Sequence, residues 1–226
     1  MDRNADWGRL EADVVGCRAC PRLVAWREQV AHDKRAAFRD ETYWGRAVPG
    51  FGDREARILV LGLAPAAHGA NRTGRVFTGD RSGDFLFRSM HRAGLANQST
   101  SVSVEDGLEL DDAWVTAAVK CAPPGNQPAV GERDACAPFL ARELALLAEL
   151  RVVVCLGAFG YDAACRHLGV ARRPRFGHGV EVVLDSGLTL LCSFHPSQQN
   201  TFTGRLTEEM LDGVFRRAVE LARSRR

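Results

Sequence analysis

Four short apolar runs constrain the fold of this chain more than any other feature, because each stops abruptly in glycine, proline or a polar segment. They are ILVL at 58–61, the run 114–120, VVVCLG at 152–157 and the run 188–194. Aliphatic, β-branched runs of this length read as strands buried on both faces. Between them lie amphipathic stretches at 7–15, 23–38, 131–150 and 161–168, and a last one closes the chain at 207–223. The alternation predicts an α/β fold with a mostly parallel sheet covered by helices on both faces. Ligands of such sheets collect outside the carboxyl ends of the strands. Those ends run into GLAPAAHG, CAPPGN, LGAFG and HPSQQN, so one shared crevice is expected there. The 226 residues, 46% of them hydrophobic, suffice for one domain over 1–226.

The first strand end is the richest. Residues 62–87 hold several glycines with Asn71, Arg72, Thr73, Arg75 and Asp80, a segment too polar to bury and long for a plain connector. Its length and chemistry suit a binding loop. Asp80 or Ser82 is expected to cap a helix with Phe85, Leu86, Met90 and Leu95 on its apolar side. YWGRAVPGFGD at 43–53 reads as a loop, and the Ser- and acid-rich stretch 97–112 as an exposed insertion. Asp185-Ser186-Gly187 predicts a hairpin turn between 180–184 and 188–194. No apolar run is long enough to cross a bilayer and no leader pattern opens the chain, so a soluble, cytoplasmic protein is expected. A net charge of +2 identifies no partner.

Seven cysteines fall into two groups. Cys155, Cys165 and Cys192 lie inside apolar runs and read as small core residues. Cys17 and Cys20 form a CxxC, while Cys121 and Cys136 stand beside polar or basic neighbours. Four such thiolates suit a tetrahedral zinc or an iron-sulfur cluster, and spacing leaves both open. Disulfides are disfavoured in an intracellular chain.

CRACPRLV with AWRE after it, PGFGD, GLAPAAHGANRTGRVFTGDRSGDFL, AAVKCAPPGNQP and HPSQQNTFTGRLT together resemble the uracil-DNA glycosylase superfamily, in its iron-sulfur branch called family five or UDGb. The resemblance covers nearly the whole chain. It implies a three-layer α/β/α sandwich with a central four-stranded, mostly parallel sheet. It also implies a 4Fe-4S cluster on Cys17, Cys20, Cys121 and Cys136, and hydrolytic excision of uracil, hypoxanthine and xanthine from damaged DNA, leaving an abasic site. Double-stranded DNA is the expected partner, single-stranded DNA a second form, and the protein is expected to be a monomer.

Such an enzyme must flip a nucleotide out of the stack, hold its base and stabilise the charge that grows as the glycosidic bond breaks. By resemblance Phe77 stacks on the base, in a slot formed with Gly62, Ala64, Ala66 and Asn126. The Asn126 amide can read a base edge. His195, locked before Pro196, can donate to the leaving base. Asp80 is the matching catalytic aspartate, to stabilise the sugar cation or orient water. Leu63 and Ala64 stand where sister families carry a carboxylate or amide, and Ala66 where the strictly uracil-specific branch carries a tyrosine, so a wider gate is expected. Plain alternatives are a core anchor for Phe77, a turn for Asn126 and a helix cap for Asp80. Arg72, Arg75 and Arg205 are expected to hold phosphates, with Ser197, Gln198 and Gln199 probing the gap left by the flipped base. Two other classes compete: a non-catalytic nucleic-acid-binding module with a structural metal cluster, and a phosphate-binding nucleotide enzyme. Against the latter, the glycine loop lacks a GK[ST] ending.

Overall fold

The computed structural model describes residues 3–224. Its sheet has the order β1-β3-β2-β4-β6-β5, from strands β1 (Phe51–Gly52), β2 (Ile58–Gly62), β3 (Ala113–Ala117), β4 (Val152–Leu156), β5 (Glu181–Val183) and β6 (Thr189–Ser193). The four expected strands form the parallel centre, with Ile58 opposite Ala113 and Val152, and Val152 opposite Thr189. The sheet is nevertheless six-stranded rather than four, because short antiparallel strands cover both edges. One of them, β1, comes from the segment expected to be loop. The other, β5, is the first arm of the predicted hairpin.

Helices α1 (Arg3–Gly16), α2 (Pro21–Asp33), α3 (Ala70–Thr73), α4 (Arg81–Arg92), α5 (Val130–Leu146), α6 (Ala158–His167), α7 (Gln198–Phe202) and α8 (Glu208–Arg223) complete the chain. Side chains alternate across a strand. Ile58, Val60, Val152 and Val154 therefore pack on one face with Leu86, Phe87 and Met90 of α4 and Leu211, Val214 and Phe215 of α8. Leu59, Leu61, Val153 and Cys155 face the opposite layer, with Trp7, Leu10, Leu23, Leu140, Tyr161 and Ala164 from α1, α2, α5 and α6. The result is the three-layer α/β/α sandwich. Among the described residues no helix is long and apolar enough to cross a membrane.

Two local expectations are corrected. The helix expected over 23–38 ends at Asp33, because Lys34 takes a left-handed φ of 53°, and a separate 3₁₀ turn covers Ala36–Phe38. Residues 97–112 are not simply an exposed insertion. Ala96 bridges to Leu110, Ser101 is fully buried, and Arg75 Nη2 donates to both Asp106 oxygens at 2.8 Å. Burial alone would raise the Asp106 carboxyl, yet Arg75 and the N–H groups of Leu108, Val102 and Ser103 hold it below the ordinary carboxylate range. Both side chains of the pair are under a tenth exposed, at 8% and 6%.

Removing one partner of a buried pair strands the other charge, at a cost of about 3–5 kcal/mol. Asp106→Ala is therefore expected to lower unfolding free energy by about that amount in urea titrations. A change within the error of the titration would show that the segment is not held by this pair.

Candidate active site

Parallel register brings the strand ends to one edge: Gly62 lies opposite Ala117, Leu61 opposite Cys155, and Leu156 opposite Ser193. The segments that follow β2, β3, β4 and β6 all leave from that edge. At its centre the Phe77 ring lies against Gly62, so closely that a Cβ there would stand 2.8 Å from two ring carbons. Phe77 holds a φ of 53°, a strained conformation for a bulky residue. Gly83 admits its carbonyl, since a Cβ at Gly83 would lie 1.8 Å from Phe77 O. Beside Phe77 stands His195, ring centroids 5.8 Å apart and planes tilted by 34°. A Cβ on Gly157, after β4, would stand 3.2 Å from His195 Cβ. Glycines at two strand ends thus let an aromatic ring and an imidazole approach the sheet edge.

Burial pushes the His195 imidazole down to about 4. It is neutral at pH 7 and keeps one N–H to give. Asn200 Nδ2 donates to the His195 carbonyl at 2.8 Å and ties α7 to the end of β6.

Asp80 is the N-cap of α4, its Oδ1 accepting from Gly83 N at 3.0 Å. Its Oδ2 faces Gly69, where a Cβ would be 2.0 Å away. Burial raises the Asp80 carboxyl, opposed by the backbone N–H groups of Gly83 and Ser82. Asp80 also lines a cavity of about 720 Å³ with Arg72, Thr73, Arg81 and Asp84. Capping and exposure to a cavity coexist in one carboxylate. Ala64 and Ala66 are half-buried, and the Ala66 carbonyl accepts from Asn71 N at 3.0 Å to close the loop.

Asn126 is exposed on the turn Pro124–Asn126 with a φ of 57°; its backbone N–H donates to Pro123 O at 3.2 Å, and its side-chain amide makes no hydrogen bond among the described residues.

Arg72 and Arg75 are corrected from the expectation that they hold phosphates. Both are buried, at 9% and 7% exposed. Arg72 bonds Glu41 and the carbonyls of His68 and Gly79, and Arg75 bonds Asp106, Ser101 and Thr78. Their charge shapes the loop from within. Arg205 is exposed, its guanidinium 4.6 Å from the centre of the Phe194 ring. Gln198 and Gln199 are exposed at the start of α7, and Ser197 holds its N-cap position without a side-chain capping bond.

Three features escaped sequence reasoning. Arg172 and Arg175 are exposed, and neither forms an ion pair among the described residues. Their segment reaches the same edge, since Tyr161, in the first turn of α6, donates from its hydroxyl to Pro174 O at 3.0 Å and Phe176 meets Phe194. RRPR was the legible signal. Phe202 at the end of α7 is 69% exposed, with the Arg81 guanidinium 5.3 Å from its ring centre. Arg27 is the third. It is 1% exposed and donates from Nη1 to Cys121 Sγ at 2.9 Å.

Cys20, Cys121 and Cys136 face the same core layer, and Cys17 lies close enough to act on the charge of Cys20 and Cys121. No three His, Cys, Asp or Glu side chains among the described residues stand close enough to share one ion. Burial pushes the Cys136 thiol up to about 11 and raises Cys121, which Arg27 opposes. Holding these groups as thiolates at neutral pH takes bound positive charge.

A sequence model described as the uracil DNA glycosylase superfamily matches residues 49–218. A protein named type-5 uracil-DNA glycosylase from Mycobacterium tuberculosis is 56% identical over 94% of this chain and 81% of its own. Relatives of that name from Thermus thermophilus and Pyrobaculum aerophilum are 52% and 47% identical, over 98% and 91% of this chain and 99% and 88% of theirs.

Gly62→Ala is expected to displace the Phe77 ring and to cost about 1–3 kcal/mol, the usual penalty of overpacking. The His195 ring protons, now beside Phe77, should shift in NMR spectra. Unmoved resonances would show that Gly62 does not set that contact.

Proposed function

Because the chain belongs to the uracil-DNA glycosylase superfamily, we propose that Phe77 stacks on a flipped uracil beside His195 and that the protein hydrolyses its N-glycosidic bond in DNA repair. The observation that carries this reading is the Phe77–His195 pair at the common strand edge, an apolar ring to stack on a base next to a neutral N–H donor. As the bond to C1′ breaks, its electron pair leaves with the base, and negative charge grows on the base oxygen. His195 donates to that oxygen. Water adds to C1′ and its proton ends on the released base anion, while Asp80 orients the water or offsets the sugar's positive charge. Leu63 and Ala64 offer no base of their own. Asn126 reaches the base edge only once DNA fills the crevice, as its exposure and its side-chain amide's lack of internal bonds allow. Half-buried Ala66 leaves room at the gate, so hypoxanthine and xanthine are accepted as well as uracil.

Phosphate contact falls to Arg205, with Arg172 and Arg175 in place of the buried pair, while Ser197, Gln198 and Gln199 follow the strand into the gap. Duplex DNA is the main partner, bound by one copy of the chain.

We assign a 4Fe-4S cluster to Cys17, Cys20, Cys121 and Cys136. The donor set fits: each thiolate of such a cluster binds a different iron, so the sulfurs stand further apart than around a single ion. Arg27 also directs positive charge at Cys121 and forms no ion pair among the described residues. When bound, the cluster supplies structural cross-linking of α2, the end of β3 and α5, and no step of the hydrolysis. Purified anaerobically, the protein should contain iron and sulfide in equal amounts, both lost in Cys136→Ser and kept in Cys155→Ser. Zinc alone would reject the cluster.

His195→Ala is expected to slow single-turnover uracil release about 100- to 1,000-fold, the usual effect of removing a donor to developing charge. DNA affinity should persist. Wild-type rates in this variant would overturn the leaving-group role. The wild-type rate should show no step from His195 protonation as pH falls through 6.5, because the imidazole stays neutral down to about 4. Stability follows the same sign: an unfolded histidine takes a proton near about 6.5, so this group costs nothing above that pH and destabilises the fold as pH falls from there towards its folded value. A rate that halves near pH 6.5 would contradict a neutral His195.

Arg172→Ala with Arg175→Ala should weaken duplex binding whatever its sequence and flatten its salt dependence by roughly two released counterions. An unchanged salt slope would remove them from the interface.

A further inference from the structure

Arg27 is a cation out of water that forms no ion pair among the described residues, although it acts on the charge of neighbouring Glu28. Its side chain is 1% exposed, Nη1 donates to Cys121 Sγ at 2.9 Å and Nη2 to the Cys17 carbonyl at 3.0 Å, while Nε has no partner. Among the described residues no acid forms an ion pair with it. Glu28, the next residue, pairs with Arg18. The other fully buried cation of this layer, Lys120, shows the ordinary solution, with Glu143 Oε2 at 2.7 Å and Thr116 Oγ1 at 2.5 Å. A guanidinium held among neutral acceptors in a protein interior is unfavourable by several kcal/mol, so its site must carry negative charge. Thiolate sulfur is the acceptor at hand.

Arg27 also reaches the other way. Its backbone carbonyl accepts from Asn71 Nδ2 at 3.1 Å, and Asn71, fully buried in α3, accepts from Gly45 N through its own carbonyl at 3.0 Å. One residue therefore touches both the cysteine site and the loop that carries Phe77 and Asp80.

We propose that Arg27 is the positioning residue and counter-charge of the cysteine-bound cluster, favouring its more negative, reduced form and slowing its loss, while its backbone ties the base-binding loop to the cluster. This inference rests on the cluster assignment above. Hydrogen bonds to cluster sulfurs and nearby charge are established levers on reduction potential. Arg27→Gln keeps much of the shape without the charge, and Arg27→Lys keeps the charge without the planar fork.

The test uses the anaerobically purified, cluster-bearing protein and the two variants, matched for iron and sulfide. Midpoint potentials are read by spectroelectrochemical titration, and iron loss by the rate of transfer to a chelator. Arg27→Gln is expected to be about tenfold harder to reduce, as loss of a hydrogen bond to a charged group implies, which is about 59 mV for a one-electron couple. It should also lose iron several-fold faster. Arg27→Lys should fall between it and the wild type. Equal potentials and equal rates of iron loss at matched iron content would overturn the proposal. Should Arg27→Gln fail to fold, Arg27→Lys decides alone, and a wild-type potential there overturns it. A wild type without iron and sulfide is a separate result that removes the cluster assignment itself.

Discussion

The parallel register of β3, β2, β4 and β6 is the constraint on which the rest depends. A sheet joined by right-handed crossovers delivers every strand end to the same edge, so chemistry written in four distant segments meets without a dedicated scaffold. What the register alone cannot do is bring side chains close. That is the role of Gly62 and Gly157, where the missing Cβ atoms make room for the Phe77 ring and the His195 side chain. The strained backbone of Phe77 is held in turn by Gly83 and by the cap of α4, so the Phe77 ring and the capping carboxylate are fixed by one turn of helix.

Two buried ionic devices keep this edge rigid. Arg75 and Asp106 fasten residues 97–112 to the loop that follows β2, and Arg72 threads that loop's interior to Glu41, His68 and Gly79. On the opposite layer Arg27 stands between Cys121 and Asn71. Arginine suits all three places because its fork satisfies several acceptors at once.

The layers, the parallel centre and the Asp80 cap were legible because hydrophobic period and capping chemistry are local properties of sequence. Arg72 and Arg75 were misread for the opposite reason. A glycine-rich polar loop looks exposed, and nothing local reveals that Glu41, Ser101 and Asp106 will fold over it from distances of 26 to 31 residues. The edge strand β1 was missed because two residues are too few for any period to show, whereas β5 was legible as one arm of the hairpin around Asp185-Ser186-Gly187. Arg27 was invisible as well, since an arginine on an amphipathic helix reads as solvated until the partner cysteine is seen beside it.

Asp80 caps α4 and lines a cavity, while His195 stands beside Phe77 at the strand edge. The most direct test is product analysis. Duplexes carrying a single uracil, hypoxanthine, xanthine or thymine are incubated with the protein, and free base and strand are separated by chromatography. The account predicts free uracil with an abasic but uncut strand, and release of hypoxanthine and xanthine as well. Duplex binding with no base released from any of the four would contradict it.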